Sequence, residues 1–215
     1  SMAGAQTLYD ADAAYREGGF AAVPRKVQLM AWPNMAAGQT ALRWRLHGPL
    51  LTVSTACASS LDAIGIAARM IEAGLADTAI VGGTDNGQAK ISGMAAEQYG
   101  MSPTDVADPT KICMPFDFHR RGVIPGDGAG VIVLENLAHA EKRGARVHGI
   151  VRGYASLSDG YHPSSPDPSG KWEVETIRAA QIDAEIAPSE IGAVVAHGTG
   201  TPGGDISEII AINAL

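Results

Sequence analysis

Cysteine is scarce. Two thiols, Cys57 and Cys113, stand in 215 residues, too few for a disulfide framework and without the close spacing of metal ligands. Aromatic residues make up only 5%, so no core of large rings is expected. Long basic runs are missing and the formal net charge is -7. That balance argues against a nucleic-acid binder, and it disfavours acidic partners unless a local basic patch overrides the repulsion. No apolar run approaches the roughly 20 residues that span a bilayer, so no membrane is expected. No signal peptide is recognisable, which together with the sparse thiols points to the reducing cytoplasm. Low-complexity segments and short-period repeats are also lacking.

Against these absences stand 46% apolar residues, 18% charged residues and 26 glycines. This is a globular composition, long enough for one large domain or two small ones. A helical patch is expected near 11–16, with Pro24 and Pro33 as breakers. Residues 34–46 are Ala-rich and helix-compatible, with Asn34 as N-cap. After the Gly48-Pro49 turn, 50–54 reads as a short strand. Residues 59–73 are almost wholly small or apolar, and Asp62, Arg69 and Glu72 fall within about a quarter of the helical circumference. Such a helix is expected to be buried on most of its surface. Strands follow at 78–81, 131–134, 150–157 and 193–196, and helices at 137–143, 171–186 and 206–215; 84–125 is mixed and turn-rich, and 159–170 is a loop. Short apolar strands alternating with helices predict an α/β fold with sheets covered on both faces.

Cys57 stands where the strand at 50–54 meets the helix at 59–73. Unpaired N–H groups at a helix N-terminus favour a thiolate and can donate to an oxyanion formed when sulfur attacks a carbonyl. Locally, two readings stay open: a nucleophile, or a buried structural cysteine.

Around this cysteine, Thr55-Ala56-Cys57-Ala58-Ser59-Ser60-Leu61 resembles the active-site signature of β-ketoacyl synthases, whose cysteine accepts an acyl chain. Asn34-Met35-Ala36-Ala37-Gly38 and Ala79-Ile80-Val81-Gly82-Gly83 are similar to that family's flanks. Pro115-Phe116-Asp117-Phe118-His119-Arg120, followed by Gly126-Asp127-Gly128-Ala129-Gly130, resembles its central block, and Ser158-Asp159-Gly160-Tyr161-His162 a recurrent loop. Ala196-His197-Gly198-Thr199-Gly200-Thr201-Pro202 resembles its first histidine motif.

The resemblance implies a thiolase-like α-β-α-β-α fold, present here in part: residues 1–145 as the later portion of a first half, and 146–215 as the start of a second. It implies acyl transfer from acyl carrier protein to Cys57, then decarboxylation of malonyl-carrier assisted by His197, and condensation. No metal or tightly bound cofactor is implied, because substrates ride on the carrier's phosphopantetheine. A homodimer or ketosynthase heterodimer is expected, pairing through 50–54. Thr199 and Thr201 are expected to orient His197. Asp205 and Glu208 read locally as a capping pair, and by resemblance Glu208 pairs with a later lysine. Arg25-Lys26 is either a carrier-docking patch or a solvated pair, and Cys113 is expected to pack. The resemblance also places a second histidine, a lysine and a Gly/Phe loop after residue 215, so this chain alone is expected not to complete condensation.

Rival readings are a thiolase-like acyltransferase using coenzyme A, a cysteine hydrolase, and a non-elongating partner subunit, the last opposed by the presence of Cys57. Gly198-x-Gly200-x-x-Gly203 also matches the dinucleotide fingerprint, weakened by Pro202 and because the acid expected about 20 positions on would lie beyond residue 215. The segment Leu61-Asp62-Ala63-Ile64-Gly65 leans towards polyketide synthases. Two departures from the family pattern stand out: Arg121 where aspartate is usual, and Asp127 where glutamate is usual. The first is expected to leave Arg120 without its neighbour.

Overall fold

A computed structural model describes residues 4–215. They gather into two compact units, residues 4–95 with Pro125–Arg146, and Ala96–Ile124 with Val147–Leu215.

In the first unit, α1 (Ala5–Gly18) runs well past the expected patch in both directions and stops at Gly19, where φ is +68°. Two further helices follow, α2 (Val27–Ala31) and α3 (Met35–Trp44). Asn34 does stand at the N-cap of α3, but its side chain makes no capping hydrogen bond. Residues 50–54 carry no strand ladder among the described residues. A short turn then feeds α4 (Ser59–Glu72). Beyond it lies β1 (Thr78–Asn86), and α5 (Lys90–Gln98) fills part of a stretch expected to be turns. The chain returns in β2 (Asp127–Glu135) and α6 (Leu137–Lys142), with Gly144 closing the last at φ +68°.

β1 and β2 pair antiparallel, Ile80 opposite Val133 and Gly83 opposite Gly130. Their β-branched residues suit a pleated ladder, while the glycines leave one end without side-chain bulk. α4 packs there. An added Cβ on Gly83 would come within 2.0 Å of Ser60 Oγ, so this glycine lets the helix start lie against the strand. α4 is not buried on most of its surface: only Asp62 and Gly65 are buried, and Leu61 is 68% exposed. One face lies on the sheet and the other is uncovered. Asp127, in place of the usual glutamate, accepts from Gln88 N–H at 3.0 Å and ties β2 to the end of β1.

Glu135, at the end of β2, accepts from Arg143 Nη2 at 2.6 Å and Nε at 2.8 Å, and bonds His139 Nδ1 at 2.5 Å. The Arg143 hydrogen bonds, with that from His139, hold its carboxyl at about 2, against an ordinary 4.5. A depressed folded value gives stability that is full above the unfolded value and lost as pH falls through the folded one. Wild-type stability should therefore fall between pH 4.5 and about 2 more steeply than that of Glu135→Gln. Superimposable denaturant-stability curves for the two proteins across that window would refute this.

The second unit holds α7 (Lys171–Ala184) and α8 (Pro202–Asn213), which pack on each other. Neither 150–157 nor 193–196 forms a ladder among the described residues. Instead Tyr154 N–H donates to Asp183 and Arg152 to the Ala184 carbonyl, so 152–154 lies against the C-terminal end of α7. Gly153 permits this, because a Cβ there would sit 2.5 Å from the Ala180 carbonyl oxygen. Val195 is fully exposed. The expectation of sheets covered on both faces thus gives way, among the described residues, to one two-stranded sheet. Among those residues no helix is long and apolar enough to cross a membrane.

Candidate active site

Cys57 lies in the turn Ala56–Ala58, immediately before α4. Its side chain is exposed, which sets aside the buried, packing role. Three bonds shape the turn. Thr55 N–H donates to Ser59 Oγ at 2.9 Å, Ser59 Oγ donates to the Ala56 carbonyl at 2.6 Å, and Thr55 Oγ1 donates to Asp62 Oδ2. Ala56 is held at φ +51°, a left-handed conformation that costs a residue with a Cβ. Cys57 therefore sits at the positive end of a 14-residue helix, whose dipole favours negative charge there; the amides of Ala58 and Ser59 are used within the turn, by the carbonyls of Thr55 and Ala56.

In the second unit, His197 stands in the loop before α8 with an exposed side chain. Glu208, from the second turn of α8, reaches back to accept the His197 N–H at 2.5 Å and the Gly198 N–H at 2.8 Å. Asp205 is 2% exposed and accepts from Gly200 N–H at 3.0 Å and Phe116 N–H at 2.6 Å. It also pairs with Arg120 Nε at 3.3 Å. Arg120 in turn donates to the carbonyls of Thr201, Pro202 and Asp117.

The capping expectation for Asp205 and Glu208 is corrected. Thr201 is the N-cap, its hydroxyl accepting from Gly204 N–H at 3.2 Å, and Pro202 opens the helix, where its missing N–H costs nothing. Both carboxylates instead bind the backbone of the His197 loop. Thr199 and Thr201 bond each other at 2.8 Å and hold the helix start, not the imidazole. Arg120, expected to lack a neighbour, has Asp205. Arg121, which replaces the usual aspartate, grips both Asp105 oxygens at 3.0 Å. Cys113 is exposed, not packed, and its Sγ approaches the Thr199 carbonyl at 3.7 Å.

The same bonds decide against the dinucleotide reading. A pyrophosphate needs free loop amides, and those of His197, Gly198 and Gly200 are already taken by carboxylates. Gly200 is buried at φ +74°, where a Cβ would lie 2.9 Å from the Gly122 carbonyl. The glycines serve packing within the protein.

Glu173, on α7, was not singled out by the sequence. It accepts from Ser207 Oγ at 2.8 Å, while its Oε2 is buried without a partner among the described residues. Burial pushes its carboxyl up; the Ser207 bond opposes this, and the charges of Glu208 and Asp159 reinforce it. No local pattern marks such a group, because its environment comes from α8 and the 159 loop. Arg25 and Lys26 are exposed at the turn into α2, apart from both motifs in sequence. Among the described residues no cluster of three or more His, Cys, Asp or Glu could hold a metal ion.

The family description "Beta-ketoacyl synthase, N-terminal domain" fits residues 2–140, and "Beta-ketoacyl synthase, C-terminal domain" fits 148–215. The chain belongs to the β-ketoacyl synthase family. It is 39% identical over 195 residues to the 3-oxoacyl-[acyl-carrier-protein] synthase 2 of Vibrio cholerae, covering 88% of this chain and 47% of that protein. Its identity to the synthase of the same name from Staphylococcus aureus is 37% over 187 residues, 85% of this chain and 45% of the other. This β-ketoacyl synthase chain thus spans about half the length of the curated relatives it matches. A type II polyketide ketosynthase, solved in complex with its acyl carrier protein, matches it with TM-score 0.94 at 28% identity over 99% of this chain and 54% of that one. A β-ketoacyl synthase from Burkholderia phymatum matches at 0.88 and 30%, covering 96% and 50%. The chain has the thiolase-like α/β fold of these ketosynthases.

Proposed function

We propose that the protein containing this chain is a β-ketoacyl synthase of fatty-acid or polyketide assembly, with Cys57 as its acyl acceptor. The observation that carries this reading is an exposed thiol at the N-terminus of α4, inside the family's nucleophile signature. In the first stage the Cys57 thiolate bonds to the carbonyl carbon of an acyl thioester. The phosphopantetheine thiolate leaves and takes up the proton that Cys57 gave away. In the second, malonyl-carrier loses carbon dioxide, and the freed electron pair becomes an enolate. Its oxygen accepts hydrogen bonds from His197 and from a second histidine. The enolate carbon attacks the acyl–Cys57 carbonyl, the sulfur departs as thiolate, and a β-ketoacyl thioester is released.

Within this reading Glu208 and Asp205 fix the backbone that carries His197, and Thr199 and Thr201 secure the start of α8 beneath it. Residues 1–145 and 146–215 belong to the two ketosynthase halves. The partner is an acyl carrier protein, in keeping with the carrier-bound ketosynthase that this chain resembles, and exposed Arg25 and Lys26 offer it positive charge. The protein works in the cytoplasm as a homodimer or ketosynthase heterodimer, and it needs no metal or bound cofactor.

The test loads full-length protein with acyl-carrier or with acyl-CoA and looks for an acyl mass on the Cys57 peptide. An adduct formed much faster from the carrier is expected. Faster loading from acyl-CoA would favour a thiolase-like transferase, and free acid with no adduct would favour a hydrolase.

A further inference from the structure

Asp62 is the least expected residue of α4. Its spacing with Arg69 and Glu72 predicts a solvated face, yet it is 5% exposed, beneath the turn that carries Cys57. A carboxylate is rarely buried unless its oxygens are occupied. One of them accepts the Thr55 hydroxyl. That bond joins the residue two before the nucleophile to the first turn of the helix behind it. Between its ends lie Ala56, at φ +51°, and Cys57. The Thr55 N–H bond to Ser59 secures the same segment from the backbone side. On the far side, Ser60 is held against Gly83 of β1, where no Cβ can be added without a clash. The turn is thus clamped on one side by Thr55–Asp62 and on the other by Ser60–Gly83. Relaxing Ala56 to an ordinary conformation would swing Cys57 relative to the helix amides.

We infer that Thr55 and Asp62 are positioning residues for the Cys57 nucleophile, holding its turn in the geometry that thioester attack requires. This rests on the acyl-transfer reading above. It adds two residues that touch neither substrate nor sulfur and act through Ala56. Attack on a thioester needs sulfur and oxyanion donors in one fixed arrangement, whereas alkylation of a thiolate needs only a reachable sulfur. The two reactions therefore separate positioning from exposure.

The experiment measures, in full-length protein, single-turnover acyl transfer to Cys57 from an acyl-pantetheine thioester. Beside it stands iodoacetamide alkylation of Cys57 above the ordinary thiol value of about 8.5. Thr55→Val keeps the backbone N–H and loses the hydroxyl. It is expected to slow transfer roughly 10²-fold while alkylation is unchanged, and Thr55→Ser is expected to restore transfer. Asp62→Asn keeps the side-chain shape but exchanges the charged acceptor for a weaker neutral one, and serves as the second variant, with transfer reduced and alkylation intact. Transfer by Thr55→Val at the wild-type rate overturns the inference. So does equal loss of both reactions, failure of Thr55→Ser to restore transfer, or failure of both Thr55→Val and Asp62→Asn to fold. A wild-type protein that alkylates at Cys57 but never acylates overturns the acyl-transfer reading itself, and the inference falls with it.

Discussion

Replacing Asp205 by alanine is expected to destabilise the second unit by about 3–5 kcal/mol, because it leaves a buried charge without its partner. Arg120 is 14% exposed in its side chain, so little water can replace the lost carboxylate. The amides of Gly200 and Phe116 lose their acceptor at the same time. Each orphaned buried donor carries a further penalty of roughly 1–3 kcal/mol unless the loop opens to solvent. The order of effects is itself a prediction. Arg120→Met should cost less, since Asp205 would still bind both amides. Denaturant unfolding, with hydrogen exchange at Gly200 and Phe116, reads both variants. A loss below about 1 kcal/mol for Asp205→Ala, the range of an exposed pair, would show that this network contributes little.

Cys57→Ser is expected to abolish the acyl adduct while leaving the fold as it is. The substitution is nearly isosteric, and the exposed sulfur has little packing to lose. Chemistry is what changes. Thiolate sulfur is a far better nucleophile toward thioesters than a hydroxyl oxygen. A serine hydroxyl needs an adjacent general base, and none is among the groups that shape this turn: Thr55, Ser59 and Asp62 are engaged with one another and with the backbone. Peptide mass spectrometry after incubation with acyl-carrier should find the adduct in the wild type and none at position 57 in the variant. An adduct persisting on Cys113, which is also exposed, would move the acceptor to the second unit and defeat the assignment.

Local signals carried the helices well where caps and breakers bracket them. Asn136 caps α6 by accepting from His139 N–H, and Gly144 ends it, as the sequence between them predicts. The loop at 159–170 and the body of α7 follow from the same kind of punctuation. α5 escaped notice because Ser92 and Gly93 weaken its pattern. The apolar stretches at 50–54, 150–157 and 193–196 failed for a different reason. Hydrophobic runs report a tendency to be buried, while a strand also needs a neighbour to bond, and that is not written locally. Asp205 illustrates the limit at the site. Its spacing to Glu208 imitates a capping box, but its true partners, Phe116 and Arg120, are more than 80 positions away in sequence. Cys57 and His197 could be singled out as candidates because a signature of several residues surrounds each. Asp62 and Glu173 were not, since each owes its character to what lies across from it.

The pairing of Arg121 with Asp105 bears on how freely charge can be exchanged at these two positions. Two acids at these positions would repel, as would two bases, so a reversal at either one alone passes through a like-charged intermediate. Because both side chains are about half exposed or more, at 49% and 71%, solvent mutes that repulsion to a fraction of a kcal/mol. Reversing Arg121 to an acid would therefore cost little stability, so this couple tolerates a change of sign that the buried Arg120–Asp205 bond does not.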